Sequence, residues 1–430
     1  MLTDEIVVDL RKQFPALAKQ VDGRPAIFFD GPAGTQVPQR VIDAISDYLV
    51  QCNANHHGTF ATSIQSDALL HEAHLATADF LGCNDADEVC FGANMTTLTF
   101  ALSRALAKTW NRGDEIVLSR LEHDANFTPW VLAARDSGVT VRYIDVDPSD
   151  CTLRLDQYAD TINSRTRLVA VGCASNAVGT INPVKQICQW AHDAGALSFL
   201  DAVHYAPHDL IDVSHWGCDF LTCSAYKFFG PHVGILYGRR ERLETLQPYK
   251  LRPAPDTIPG RWMTGTQNHE CIAGTMAAID YIADIGRMTN GQSLDRRAPD
   301  RRTLDRRALD RRTALSNAYE SIRHYERRLL DRLLEALLTM ESIKVWGITD
   351  PDARDQRLPT VSISHAKLTS VQFATQLAAH GIFAWHGNYY ALPLTEQLGV
   401  EPDGMVRIGA VHYNTVEEID RLLAAVASMD

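Results

Sequence analysis

Lys227 stands in the stretch Thr222-Cys223-Ser224-Ala225-Tyr226-Lys227-Phe228-Phe229-Gly230-Pro231. The apolar pair Phe220-Leu221 leads into it, and Gly234-Ile235-Leu236-Tyr237-Gly238 leaves it as a second short strand pattern. A lysine in a tight connection between two apolar segments can be kept dry. Desolvation lowers an amine's pKa and leaves it free to attack a carbonyl and form a Schiff base. The competing reading is a lysine that lays its stem beside a turn and keeps its ammonium in water. What lies upstream decides between them. Asp201 closes the apolar run Leu197-Ser198-Phe199-Leu200, and His204 follows three residues later. His123 and Asn176 come soon after two further apolar runs, Glu115–Leu118 and Arg167–Val171.

These residues need a scaffold that brings strand ends together. From about residue 65, helix and strand patterns alternate: helix 66–81, strand 88–91, a helix to about 108, strand 115–118, helix 125–136, strand 139–144, helix 155–162, strand 167–171, helix 183–194 and strand 197–200. Such alternation predicts an α/β fold with a mainly parallel, doubly wound sheet. In these sheets ligands sit beyond the carboxyl ends of the strands. His123, Asn176, Asp201, His204 and Lys227 all follow strands that would end on one rim. Gly92-Ala93-Asn94-Met95-Thr96-Thr97 opens a helix and presents amides and hydroxyls to an anion; simple N-capping by Asn94 or Thr96 is the plainer reading. Earlier, a strand at 26–29 ends in the small-residue turn Asp30-Gly31-Pro32-Ala33-Gly34-Thr35, which permits close backbone approach to a ligand.

The chain divides into an N-terminal segment, 1–25, expected to pack with the small domain; a large domain, 26–285; an insert, 286–315; and a small α+β domain, 316–430. The small domain opens with a helix over 317–340 and closes with one that starts at Asn414-Thr415-Val416-Glu417. Within the insert, Leu294-Asp295-Arg296-Arg297-Ala298 recurs as 299–303, 304–308 and 309–313. A five-residue step gives a helix no single apolar face, and Pro299 interrupts it further. The repeat reads as a tolerated, solvated loop rather than a basic docking arm.

Composition sets the outer limits. The net charge of -12 argues against a nucleic-acid-binding surface. No apolar run is long enough to span a membrane, and the acidic start Met1-Leu2-Thr3-Asp4-Glu5 lacks the pattern of a signal peptide. Nine cysteines, scattered and without a CxxC pair, point to a reducing, cytoplasmic setting. The adjacent His56 and His57 have no third ligand nearby, so no metal site is expected. No GxGxxG turn follows the first strand, which argues against a nicotinamide cofactor.

Several motifs in this order and spacing resemble the class V aminotransferases of the pyridoxal phosphate fold type I, in the cysteine desulfurase and selenocysteine lyase branch. They are Phe29-Asp30-Gly31-Pro32-Ala33, Leu121-Glu122-His123-Asp124-Ala125-Asn126, Ser175-Asn176-Ala177-Val178-Gly179-Thr180, Asp201-Ala202-Val203-His204, Ser224-Ala225-Tyr226-Lys227, Gly265-Thr266-Gln267-Asn268 and Tyr413-Asn414-Thr415. The resemblance runs from about Phe14 to the C-terminus, apart from the insert. It implies a homodimer with shared active sites, an amino acid substrate and pyridoxal 5'-phosphate as cofactor. Lys227 would carry the Schiff base and shuttle a proton, and His123 would stack on the pyridine ring. Asp201 would pair with the ring nitrogen, while Asn176 and His204 (a glutamine in many members) would sit near the phenolic oxygen. Ala93, Asn94, Met95 and Ser224 would bind the phosphate, with Thr266 reaching the partner subunit's phosphate. Arg407 would hold the substrate carboxylate, and Ala33, His56, Asn176 and Tyr390 would line the substrate.

The departures narrow what the resemblance implies. Tyr390 occupies the position of the desulfurase cysteine, and the last cysteine in the chain is Cys271. Trp385 replaces an arginine, Tyr226 a histidine, and Ala93-Asn94 a threonine pair. The cofactor half of the site is kept and the sulfur half is not. A C–S or C–Se lyase without a protein persulfide, a transaminase, an epimerase and a cofactor-binding protein without turnover all fit that pattern.

Overall fold

Most strands of the first 240 residues are short apolar runs, and seven of them assemble into one buried sheet. The structure is a computed structural model that describes residues 1–291 and 309–429. Apart from β1 (Ile27–Phe28) and a small, mostly exposed pair, Gln20–Val21 with Arg24–Pro25, the strands of this part are β2 (Val89–Gly92), β3 (Glu115–Ser119), β4 (Thr140–Ile144), β5 (Thr166–Gly172), β6 (Leu197–Asp201), β7 (Phe220–Ser224) and β8 (Gly234–Gly238). Their order across the seven-stranded sheet is β2-β8-β7-β6-β5-β3-β4. Pairing is parallel from β7 to β4, and β8 runs antiparallel to both its neighbours. The carboxyl ends of β2, β3, β5, β6 and β7 therefore share one rim. Residues on both faces of the central strands are buried, as helices on either side require.

Glycine makes the tightest contact on that rim. A Cβ on Gly234, at the start of β8, would lie 2.3 Å from the backbone of Asn94. Only glycine lets β8 pass this close to the start of the helix α4 (Met95–Ala107).

The C-terminal part carries an antiparallel sheet of β9 (Ile343–Trp346), β10 (Thr360–His365), β13 (Met405–Gly409) and β12 (Trp385–Gly387), in that order. One expectation is corrected here. The strand expected over 26–29 stands at the start of the expected large domain, but β1 pairs in parallel with β11 (Ile382–Phe383) of the C-terminal part. Phe28 and Phe383 meet edge to face at 5.2 Å. The N-terminal helix α1 (Asp4–Arg11) lies on the same side, with Arg11 on Glu418 at 2.7 Å.

The insert is corrected as well. Its copies at 294–308 lie outside the described residues. The flanks expected to belong to it are helical: α7 (His269–Thr289) runs into 286–289, and α8 (Arg311–Leu337) begins inside the fourth copy. Asp310 caps α8 by accepting from the Thr313 amide. Arg311 meets carboxylates of Glu72, Asp79 and Asp280 at 2.7, 2.9 and 3.2 Å. Arg312 donates to the carbonyls of Asp79, Phe80 and Ile211. The two arginines that make this stretch look solvated are the ones that dock it. Gly286 of α7 faces the α8 backbone so closely that a Cβ would sit 1.8 Å from the Ala314 oxygen.

The seam between the two parts is hydrogen-bonded across backbone atoms. Leu358 donates to Gly179 O at 2.8 Å, Ser362 Oγ to Ala177 O at 2.6 Å, and Ile181 N to Gln356 O at 2.8 Å. No helix among the described residues is long and apolar enough to cross a membrane.

Candidate active site

Two connected cavities meet at Lys227. The inner one lies on the rim of the large sheet and is lined by Asn94 to Thr96, Glu122, His123, Asn176, Asp201, His204, Ser224 and Lys227. The outer one, of about 1020 Å³, opens at the seam and adds Ala33, Tyr389, Tyr390, Trp385 and Arg407. His123, Asn176, Tyr226 and Lys227 border both.

Lys227 closes a short 3-10 turn directly after β7 and is 8% exposed. Its Nζ donates to the Pro32 carbonyl of the small-residue turn. Burial, with the Arg407 charge nearby, pushes its pKa down to about 7, against the pull of Asp201 and Asp30. Near neutral pH a large share of this amine is therefore uncharged and nucleophilic.

The groups around it are also tuned by burial. Asp201 is raised to about 6, held back by the Val203 amide and the Lys227 charge. Its Oδ1 accepts from the Val203 amide at 2.9 Å. His123 is lowered to about 4 by burial and the nearby cations. His123 Nδ1 accepts from the Ala125 amide at 3.0 Å, so the proton of the neutral ring sits on Nε2. Asn176 ties the seam: its Nδ2 donates to Tyr389 O at 2.9 Å, and its Oδ1 is buried without a protein partner. Arg407 Nη1 donates to Asn176 O at 2.8 Å. The Arg407 guanidinium lies 4.3 Å from the centre of the Tyr389 ring.

At the anion end, the capping reading accounts for the Asn94 side chain. Its Oδ1 accepts from the Thr97 amide and hydroxyl, both at 2.9 Å. Met95 N donates to Ser224 Oγ at 3.1 Å. Thr96, in the first turn of the 13-residue helix α4, is exposed and lines both cavities. The helix start with Thr96 and Ser224, more than the Asn94 carboxamide, is thus what an anion would meet.

Three expected residues do not line either cavity. Ala93 lies just before the helix start. His56 lies beyond α2 (Gln39–Gln51), where its Nδ1 meets Asp67 at 3.0 Å and its ring contacts His269 at 4.5 Å. Thr266 lies exposed in the loop before α7. Both are on the outer surface around the start of α7, away from Lys227 of the same chain.

Other residues of the site had no role in the sequence reading. Glu122 is fully buried beside Asp201 and is pushed up to about 8 by desolvation, despite bonds from Ser119 and Asn126. Burial there favours its neutral form. Asp30 is raised to about 6 by burial and senses both Arg407 and Lys227. Both stand inside the motifs quoted above, next to residues that were singled out. Tyr389 and Tyr390 both adopt left-handed backbone, with φ of 56° and 59°. Two successive tyrosines in that region are held only because the loop is over-determined. Asp124 N donates to Tyr390 O at 2.6 Å, and the Tyr390 ring stacks on His123 at 5.6 Å and 26°.

Comparison with known proteins gives the family. The family model for class V aminotransferases matches residues 27–301 and 313–422.

The chain belongs to the class V aminotransferase family.

Its relatives include the aminotransferase-like protein FGM3 of Gibberella zeae, 31% identical over 98% of this chain and 97% of that protein. A cysteine desulfurase of Pectobacterium atrosepticum is 29% identical over 97% of this chain and 96% of its own length. The apo structure of a cysteine desulfurase from Thermococcus onnurineus superposes with a TM-score of 0.85 at 27% identity, covering 100% of this chain and 98% of that one. This class V aminotransferase is an enzyme of fold type I, and the family's cofactor is pyridoxal phosphate. The inner cavity fits that group. It offers a dry amine for the carbonyl, a carboxylate for the ring nitrogen, an imidazole at the rim and a helix start for the phosphate. Asp201, raised by burial, is the carboxylate that a protonated ring nitrogen would pair with.

Proposed function

We propose that the protein acts on an amino acid whose carboxylate is held by Arg407 and whose amine meets the cofactor at Lys227. The observation that carries this reading is Lys227 itself: a buried amine at about 7, between Asp201 and Arg407. Bound pyridoxal phosphate supplies the carbonyl that captures the amine and the ring that accepts electrons from the substrate's Cα. Asp201 holds the ring nitrogen and favours its protonated form. The free amine of Lys227 takes and returns the Cα proton. Neutral His123, with its proton on Nε2, would pack on the cofactor ring, and Tyr390 stacks on His123 from the outer side.

We further propose C–S or C–Se cleavage without a protein persulfide. Tyr390 stands at the mouth where a thiol would be needed, and it is 71% exposed. A phenol cannot take up a sulfur atom as a persulfide. The leaving group would exit through the outer cavity. Transamination and epimerisation start from the same Cα proton transfer and differ only afterwards. The test is a panel of amino acids followed by cofactor absorbance, with assays for sulfide, alanine and pyruvate. The reading predicts a spectral change and a sulfur or selenium product that survives thiol alkylation. Keto acid alone would favour transamination. No spectral change with any amino acid would favour a protein without turnover.

The active unit in this reading is a homodimer. Ile42, Leu49, Val50, Phe60 and Ile64, on and between α2 and α3 (Ala61–Leu81), are 44 to 74% exposed. A contiguous run of exposed apolar side chains is a surface for a second copy. His56 and Thr266 lie close to the same surface, which would carry them toward the partner's phosphate end. Sedimentation at micromolar concentration should give twice the chain mass.

A further inference from the structure

His204 lines the inner cavity just beyond β6, and the family resemblance implies that the cofactor's phenolic oxygen would sit near it. It is 4% exposed, and its Nε2 lies 3.0 Å from Thr360 Oγ1, which is fully buried. Thr360 belongs to the other part of the molecule. It opens β10, pairs with Gly409 of β13, and lies in the same seam as Arg407. Nε2 is therefore spoken for, and Nδ1 is the ring nitrogen left for a ligand in the cavity.

Burial first, and then the groups that face it, hold the His204 ring toward its neutral form. His208 meets it edge on at 5.4 Å and is itself paired with Glu326 of α8 at 2.8 Å. His208, Arg407 of β13, Lys227 of the β7–β8 turn and His123 beyond β3 all oppose a charge on His204, in addition to its burial. A neutral imidazole has one N–H and one bare nitrogen. A phenolic oxygen in its anionic form needs a donor. To supply it, Nδ1 must hold the proton, Nε2 must be bare, and the Thr360 hydroxyl must donate.

We infer that Thr360 is a positioning residue which fixes the tautomer of His204, so that Nδ1–H donates to the cofactor's phenolic oxygen. The inference rests on the cofactor reading of the inner cavity. Its consequence is specific to this chain: a hydroxyl on the C-terminal sheet sets the electronics of a ring held by the large sheet. A shift of the seam would be felt at the cofactor with no change in the residues that touch it.

The test is the pH titration of cofactor absorbance in the purified holoenzyme. Thr360→Val keeps the shape and removes the donor. Loss of the donated hydrogen bond makes the phenolic oxygen more basic, so the absorbance midpoint should move up by about 1 pH unit. Thr360→Ser restores the hydroxyl and should return the midpoint to within about 0.3 unit. A merely structural role would lower the melting temperature and leave the midpoint unchanged. An unchanged midpoint in Thr360→Val, or a shift that serine does not rescue, overturns the inference. Should the valine variant fail to fold, ¹⁵N-histidine spectra of the wild type decide, with His204→Gln as the assignment control. Protonated Nδ1 and bare Nε2 are expected, and the opposite tautomer contradicts the inference. A wild-type protein with no Lys227-dependent absorbance would instead be a failure of the cofactor reading.

Discussion

The inner and outer cavities meet at Lys227 and share a few residues around it, but their remaining walls differ in origin and in charge. The inner one is built from residues at the ends of adjacent parallel strands. Its titratable groups are buried and shifted toward neutrality: Lys227 to about 7, Asp201 to about 6 and Glu122 to about 8. The outer one is built across the seam from both parts of the molecule. Besides Lys227 it holds the buried cation Arg407 and the carboxylates Asp124 and Asp403, and much of its wall is made of rings, among them Trp385, Tyr389 and Tyr390. Tyrosine and tryptophan rings fix shape but do not exchange protons or sulfur near pH 7. The inner wall thus determines how a reaction begins, and the outer wall determines what enters and what leaves.

Substitutions can break that division, and their effects should fall in size from the inner wall outward. Lys227→Ala should lower turnover by about 10³-fold or more, measured as initial rate on the best amino acid of the panel. Arg407→Lys keeps a charge but loses the planar fork. It should raise KM by about tenfold with a smaller change in kcat. Tyr390→Ala should change the preference between large and small amino acids by about fivefold, while cofactor affinity stays as it was. Equal losses in cofactor affinity for the Tyr390 and Lys227 variants would erase the distinction between the two walls. Smallest in activity, Arg311→Ala should leave turnover unchanged but lower stability by about 2 kcal/mol in urea unfolding, because it breaks contacts to Glu72, Asp79 and Asp280.

The inner wall was legible in the sequence because its residues follow apolar runs at short, regular distances. His123, Asn176, Asp201, His204 and Lys227 each lie within four residues of a strand end. The outer wall was legible only in part. Tyr390 and Arg407 were placed by resemblance, whereas the left-handed backbone at Tyr389 and Tyr390 has no local signal. Thr360 was hidden because a threonine at the start of a strand reads as an ordinary strand residue. Its partner lies 156 residues away. The same holds for β1, whose partner strand lies in the C-terminal part, and for the fourth pentapeptide. Local composition made that repeat look solvated, but carboxylates from α3 and α7 make Arg311 an anchor. Non-local pairing is what a period of two or of 3.6 residues cannot report.

The central claim is that Lys227 is a nucleophilic amine poised for the cofactor carbonyl. The direct measurement is borohydride reduction of the protein reconstituted with pyridoxal phosphate, followed by peptide mass spectrometry across pH 5 to 11. The account predicts one adduct, on the peptide that contains Lys227. Its yield should rise through a midpoint of about 7, as the amine loses its proton, and then level off. Label spread over surface lysines, or a yield that climbs through the ordinary lysine value of 10.5, would contradict it.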